Sequence, residues 1–367
     1  MKATAAVLWA LNEKWTIETV DIAPPGAGEV LVRIAATGLC HTDDHVVTGD
    51  LPAELPIVGG HEGSGVVEAL GNGVTGVALG DHVVTAFNPP CGHCHYCASA
   101  RSNLCMSAAR RAGHAPKSPF SIRSRALAAV GSLGTFSEYT VVSEHSVIPI
   151  DPTVPLEVAC LLGCAVTTGW GAAVYLAEVK PGDHVVVVGC GGVGMNSLQG
   201  ARNAGADIVL AIDTNEFKRQ RAPIFGATHT AETMADGARI LARETGGRMA
   251  DVAILSIGVG DGSILAEMVG LLGLGGRAVI SSVSPIKATA AELPLARFTL
   301  SQQTLRGNIY GGVNVHRDIP LLLGLYKRGK LNLDDLITKT YSLAQINVGY
   351  ADMHAGRNLR GVVVFDA

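Results

Sequence analysis

Two groups of residues in this 367-residue chain are spaced as chemical sites. Cys91, Cys94, Cys97 and Cys105 form C-x2-C-x2-C-x7-C in a stretch rich in Gly, Pro and Asn. Four thiolates converging from one short loop suit a tetrahedral all-cysteine zinc site, closed to substrate and therefore structural. The nearest rival is an iron–sulfur cluster, whose bacterial pattern ends in C-x3-C-P. Here the last gap is seven residues, and Met106 rather than Pro follows Cys105. The second group is Gly189-Cys190-Gly191-Gly192-Val193-Gly194, entered directly from the apolar run His184–Val188 and followed by a helical stretch, Met195–Ala204. Gly189 permits a tight turn, Gly191 lets the backbone approach a pyrophosphate, and Gly194 lets helix and strand pack closely, with the phosphates at the helix N-terminus. Nineteen residues beyond Gly194, Asp213 ends the next strand-like run. A carboxylate there accepts hydrogen bonds from an adenosine ribose and repels a 2′-phosphate, so the loop reads as a site for NAD(H).

Both sites need a scaffold. Residues 1 to about 165 carry short strand-like runs broken by Gly and Pro, among them Val30–Ala36, Gly65–Ala69, His82–Ala86 and Tyr139–Val142, and read as mainly β. From about 166 to 309, the runs His184–Val188, Ile208–Ile212, Val252–Leu255 and Ala278–Ile280 alternate with helical stretches, which implies βαβ units and a parallel sheet. Helices at Ile319–Arg328 and Ala344–Ala355 and a strand at Val362–Phe365 close the chain. The expected fold class is therefore α/β. A doubly wound Rossmann domain, 166–310, is inserted into a mainly-β domain made of 1–165 and 311–367, with the active site in the cleft between them.

Composition narrows the classes further. Charged residues are only 16% of the chain against a usual share of about 25%, and hydrophobic ones are 48%, which excludes disorder. A net charge of −4 is too weak to steer the molecule toward nucleic acid or anionic lipid, and no apolar run approaches the roughly 18 residues of a membrane span. Lys2 and the run Ala3–Leu11 resemble the start of a signal peptide. However, Asn12-Glu13-Lys14 stands where small cleavage-site residues belong, so a first strand is expected. Eight cysteines are far below the density of a disulfide scaffold, and with neither a signal peptide nor a membrane span read from the sequence, a soluble cytoplasmic protein with reduced thiols is expected. Between Asp81 and Glu138 there is no acidic residue, while Arg101, Arg110, Arg111, Lys117, Arg123 and Arg125 are basic. These offset the negative charge of zinc held by four thiolates, or meet an anionic substrate tail. The stretch lacks the interleaved aromatics of a nucleic-acid surface.

Cys40 in Gly-Leu-Cys-His-Thr-Asp-Asp-His, His61 in Gly-Gly-His-Glu-Gly-Ser-Gly and Cys164 in Leu-Leu-Gly-Cys-Ala-Val are candidates for an open zinc site, although spacing alone does not select them. Taken with Gly60-His61-Glu62, the Cys91–Cys105 lobe, the 189–194 loop and Asn358-Leu359-Arg360-Gly361, they make the sequence resemble the zinc-dependent medium-chain alcohol dehydrogenases over essentially its full length. Within that family it is most similar to the actinobacterial nitrosodimethylaniline (NDMA)-dependent branch. The resemblance implies that the mainly-β domain is GroES-like, that each chain holds one catalytic and one structural zinc, and that NAD(H) is held tightly and recycled in place by an external electron acceptor.

Residue by residue, the resemblance makes Cys40, His61 and Cys164 ligands of the catalytic zinc, leaving a fourth position for water or alcohol. Glu62 becomes the acidic neighbour able to approach the metal, and Asp43 the carboxylate that orients the ligating imidazole. Thr42 and His45 would carry the alcohol proton outward by way of the nicotinamide ribose, an imidazole being suited to proton exchange near neutral pH. His41 and Arg360 would meet the pyrophosphate, Lys218 the adenosine ribose, and Thr168 and Val193 the back of the nicotinamide. Phe87 would wall the substrate pocket. The implied reaction is reversible oxidation of a primary alcohol to an aldehyde. The methyl of Thr42 would narrow the pocket against secondary alcohols. A thiol-dependent formaldehyde dehydrogenase is the alternative within the class, and a zinc-organised nucleic-acid-binding or scaffold protein the alternative outside it. A homodimer or homotetramer is expected, pairing at the Rossmann edge strand near Leu305–Ile309.

Overall fold

The computed structural model describes residues 1–106, 118–260 and 262–366, so Arg110, Arg111 and Lys117 lie outside the described residues. The chain forms two compact units. The first comprises Met1–Cys164, Asn314–Gly324 and Leu333–Ala367, and the second Ala165–Val313 and Leu325–Asn332.

The first unit is built on the strand Glu29–Gly38, in which alternate apolar residues Val30, Val32 and Ile34 are buried. One edge of this strand pairs antiparallel with Gly63–Leu70. The other edge is shared, Tyr139–Ser143 pairing at residues 29–33 and the C-terminal strand Arg360–Val364 at residues 36–38. These strands belong to a seven-stranded sheet, and a six-stranded sheet containing Lys2–Leu8 and Thr16–Ile22 stands beside it in the unit. An aromatic cluster fills part of the core: Trp15 lies edge-on to Phe136 at 5.6 Å and stacked on Tyr350 at 6.4 Å. The chain leaving Ile57–Val58 passes so close to this cluster that only glycine fits. A Cβ on Gly59 would lie 2.6 Å from the Trp15 ring, and one on Gly60, whose φ is +89°, would lie 2.5 Å from Phe136.

The second unit is a six-stranded, all-parallel sheet. Its strands in chain order are His184–Val188, Ile208–Ile212, His229–Ala231, Ala250–Leu255, Leu272–Ile280 and Thr304–Gly307, and across the sheet they run 3-2-1-4-5-6, the Rossmann order. The helix Gly192–Asn203 follows the first strand. Among the described residues, no single helix is long and apolar enough to cross a membrane.

One expectation needs adjustment. The run expected as Ala278–Ile280 begins at Leu272, with the glycines at 273, 275 and 276 in a bulged start where the register shifts between Ala250 and Val252 of the neighbouring strand. The compact units divide at Cys164/Ala165 and Val313/Asn314, and Leu325–Asn332 belongs with the Rossmann unit. Gln199 ties it there, donating from Nε2 to the Asn332 carbonyl at 3.0 Å and accepting the Asn332 N–H at 2.6 Å.

Two glycines of the loop separate folding from binding. A Cβ on Gly194 would collide with the Gly189 carbonyl, whereas nothing lies within 4 Å of one on Gly191. Gly194→Ala should therefore lower unfolding stability by about 1–3 kcal/mol. Gly191→Ala should leave the urea midpoint unchanged and weaken only NAD(H) binding, which urea unfolding and a fluorescence titration check.

Candidate active site

Cys40 ends the turn after Glu29–Gly38 and caps the helix His41–Thr48, whose first turn carries Asp43 and Asp44 where the helix dipole favours acids. Its backbone is pinned on both sides: the Leu39 N–H donates to the Gly361 carbonyl at 3.0 Å, and Tyr350 Oη donates to the Cys40 carbonyl at 3.4 Å. His61 follows the two glycines forced by the aromatic cluster. Cys164 follows the buried turn Cys160–Gly163. Ligand atoms from Cys40, His61, Glu62 and Cys164 all lie within 4.8 Å of one another.

The donor set fits a zinc ion. His61 Nδ1 is 3.0 Å from Asp43 Oδ2, and Asp43 Oδ1 accepts the Gly60 N–H at 2.8 Å. The other ring nitrogen, Nε2, is buried with no hydrogen-bond partner among the described residues. A buried orphan beside two thiols and a carboxylate is what a borderline-soft cation satisfies, with a histidine oriented from behind by a carboxylate. The charges point the same way. A hydrogen bond from Cys164 holds the Cys40 thiol well below its ordinary value, with His61 adding to the effect against burial, while that same bond and burial push Cys164 up. Burial resists charge on His61, but Asp43 and Cys40 outweigh it and raise its pKa. Burial lifts Glu62 to about 7, against the pull of Arg360.

Arg360 is 5% exposed and donates from Nη2 to Glu62 Oε2 at 2.5 Å and to the Leu39 carbonyl at 2.9 Å. It thus has a partner other than the pyrophosphate expected of it. A guanidinium buried without a counter-ion is costly, and Glu62 is the carboxylate within reach. Room for this pair depends on Gly38, where a Cβ would collide with Glu62 Oε2 and lie 2.8 Å from Arg360 Nη2. Sequence reasoning missed Gly38, although its place just before Leu39-Cys40 was a signal. It also missed Tyr350, 310 residues from its partner, for which no signal existed.

Thr42 is half-buried with Oγ1 3.6 Å from Cys40 Sγ, and His41 is half-buried at the first helical position. His45 is buried rather than a surface histidine, with Nδ1 3.2 Å from Asp50 Oδ2. Phe87 meets the His61 ring edge to face at 5.7 Å.

Cys91, Cys94, Cys97 and Cys105 form the second convergent group, their sulfurs within 4.8 Å of one another. Backbone N–H groups of Cys97 and Met106 bring Cys94 down to about 6, the Cys91 N–H donates to Cys105 Sγ at 3.2 Å, and burial pushes the Cys105 thiol up to about 12. His95 stays outside the group, 3.4 Å from Arg101 Nη2. No disulfide joins any of the eight cysteines.

In the Rossmann unit, Gly189 has φ +91° and its carbonyl accepts from Ser256 Oγ at 2.7 Å. Asp213 accepts the Cys190 N–H at 2.7 Å and the Asn215 N–H at 2.8 Å, and Lys218 Nζ stands 4.0 Å from it. Gly191 and Gly192 leave the loop partly open to solvent, and Thr168 and Val193 are half-buried. Arg219, not anticipated, braces the loop after Asp213 by donating to the carbonyls of Asp213 and Thr214, each at 2.8 Å.

Comparison with known proteins accords with this geometry. Residues 26–152 match the alcohol dehydrogenase GroES-like domain and residues 192–328 the zinc-binding dehydrogenase domain. The chain is 46% identical to Alcohol dehydrogenase B of Mycobacterium tuberculosis over 99% of its own length and 98% of that protein. It belongs to the zinc-dependent alcohol dehydrogenase family. A second relative, the NDMA-dependent alcohol dehydrogenase of Amycolatopsis methanolica, is 43% identical over the full length of both chains. Among solved structures, an alcohol dehydrogenase zinc-binding domain protein from Burkholderia ambifaria superposes with a TM-score of 0.92 at 33% identity, and benzyl alcohol dehydrogenase from Acinetobacter calcoaceticus with 0.90 at 30%, each over the whole of both chains. As a zinc-dependent alcohol dehydrogenase, the chain is an oxidoreductase acting on small-molecule alcohols, with a GroES-like domain and a Rossmann-type domain.

The Asp43 carboxylate faces His61 Nδ1 with one oxygen and accepts the Gly60 N–H with the other, so its loss reports on ligand orientation. Asp43→Ala should weaken zinc at Cys40, His61 and Cys164 by about 10–100-fold and leave the four-cysteine zinc in place, as chelator competition followed by metal analysis would show.

Proposed function

We propose that this enzyme oxidises primary alcohols reversibly to aldehydes, using NAD(H) that it holds tightly and an external acceptor that recycles the cofactor in place. The observation that carries the reading is the buried convergence of Cys40, His61, Glu62 and Cys164 around the orphaned His61 Nε2. Cys40, His61 and Cys164 would hold zinc, which would supply the Lewis acidity that lowers the alcohol pKa, and the glycine loop would hold the NAD+ that serves as hydride acceptor. Asp43 fixes the His61 ring, and Arg360 holds Glu62 by its Oε2. Thr42 accepts the alcohol proton through its hydroxyl and hands it on toward His45. Phe87 walls the pocket beside His61, and the Thr42 methyl narrows it. The four-cysteine group holds the second, structural zinc.

Asp213 and Lys218 receive the adenosine ribose, and the Asp213 carboxylate disfavours a 2′-phosphate. Gly189, Gly191, Gly192 and Gly194 take the pyrophosphate, His41 and Arg360 assist it, and Thr168 and Val193 back the nicotinamide. Tight retention and an external acceptor rest on the likeness to the Amycolatopsis protein, whose name states an NDMA dependence. We place the enzyme in the cytoplasm, in keeping with eight cysteines outside any disulfide. Self-association into a homodimer or homotetramer is supported by the exposed edge strand Thr304–Gly307 and by Leu300, which is 86% exposed close by in the chain.

Catalytic efficiency on matched 1- and 2-alkanols should favour the primary alcohol at least about 10-fold, since one methyl in a tight pocket is worth roughly 1–3 kcal/mol. Equal efficiencies would remove the primary-alcohol assignment. The supernatant of the denatured enzyme should contain about one NAD(H) per chain. Its absence would return the enzyme to ordinary cofactor exchange.

A further inference from the structure

His45 is the last residue of the proposed proton path, yet its side chain is only 3% exposed, so a proton arriving there does not meet water directly. Its Nδ1 lies 3.2 Å from Asp50 Oδ2, and the Asp50 side chain is 24% exposed. We propose that Asp50 is a positioning residue for alcohol oxidation, fixing the tautomer of His45 and forming the outer stage of its proton path to solvent. The inference rests on the relay reading of Thr42 and His45 given above.

The local chain is built to place this carboxylate. The helix His41–Thr48 stops at Gly49, whose left-handed conformation (φ 78°) turns the backbone back along the last helical turn. The Gly49 N–H donates to the Val46 carbonyl at 3.3 Å, and the Leu51 N–H to the His45 carbonyl at 3.0 Å, so the residue between them returns beside the imidazole. The Thr48 hydroxyl, and then His45 itself, hold the Asp50 carboxyl below the usual carboxylate range, which keeps it an acceptor at neutral pH. The two other carboxylates of this helix are engaged elsewhere, Asp44 lying 2.9 Å from His354 Nε2 and Asp43 3.0 Å from His61 Nδ1.

The proton arithmetic closes without any further reactant. With Nδ1–H donating to Asp50 Oδ2, the lone pair of His45 stands on Nε2, the nitrogen left to receive a proton from Thr42. Uptake at Nε2 makes an imidazolium that the adjacent carboxylate stabilises. The Nδ1 proton then passes to Asp50 Oδ2 and on to water, and proton uptake at Nδ1 through Asp50 with proton loss from Nε2 restores the starting tautomer before the next turnover. The orienting and imidazolium-stabilising part of this role is that of the carboxylate in hydrolytic triads; the onward transfer through Asp50 goes beyond it, since a triad carboxylate is not itself protonated.

The test compares Asp50→Asn and Asp50→Ala with His45→Gln in the zinc- and NAD(H)-loaded enzyme, following kcat and kcat/KM for a primary alcohol across pH. Removing the anion disfavours protonated His45. In both Asp50 variants the acid limb of the oxidation profile should therefore move to lower pH by about one unit, with kcat near neutrality down about 10-fold and KM little changed. A role confined to ending the helix would lower activity or stability without moving that limb. An unshifted acid limb in both Asp50 variants, beside a changed profile in His45→Gln, would overturn the inference and leave the relay standing. An unchanged profile in His45→Gln would remove the relay and this inference with it.

Discussion

Two thiols, an imidazole and a carboxylate lie within 4.8 Å of one another inside the first unit, and much of that unit answers the problem of keeping them there. Groups of this kind prefer water, and each charge placed among them raises the cost of the next. Arg360 is the protein's own counter-charge. It arrives on the last strand of the chain and takes one oxygen of Glu62 and the carbonyl that precedes Cys40. His61 Nε2 has no hydrogen-bond partner among the described residues and is the atom that we propose meets a divalent cation. Chemistry and folding would be coupled here, because the arrangement proposed to hold the metal is built from donors that folding buries.

The scaffold explains why so many glycines surround the site. Gly59 and Gly60 thread past Trp15 and Phe136, and Gly38 leaves space for the Glu62–Arg360 pair. Each supplies a close approach that a side chain would block. The far end of the chain is braced as firmly. Asp352 accepts from Lys339 Nζ at 2.6 Å, Tyr341 Oη at 2.7 Å and Arg357 Nε at 2.7 Å. Asn358 adds a bond to Tyr341 Oη at 3.1 Å. This network lies just before Arg360 and fixes the strand that delivers it. The C-terminal strand is thus part of the catalytic domain by chemistry as well as by sheet pairing.

Legibility in the sequence followed the range of the interactions. The four-cysteine site and the glycine loop were readable because their members are neighbours in the chain, and the Rossmann strands because apolar runs alternate with helices. Cys40, His61 and Cys164 were not selected by spacing, since sheet pairing brings them together; family resemblance named them. The Glu62–Arg360 pair spans 298 residues, and the burial of His45 depends on how its helix packs, so neither leaves a local signal. The start of the strand at Leu272 was missed because the glycines at 273, 275 and 276 interrupt the apolar run that marks a strand in the sequence.

The most direct test of this account is zinc K-edge X-ray absorption on the metal-loaded enzyme. One closed four-sulfur site and one open site with two sulfurs and a nitrogen predict an average of about three sulfurs per zinc near 2.3 Å, with nitrogen or oxygen near 2.0–2.1 Å. About four sulfurs per zinc, with no lighter ligand in the first shell, would mean that Cys40, His61 and Cys164 do not hold a metal, and would contradict it.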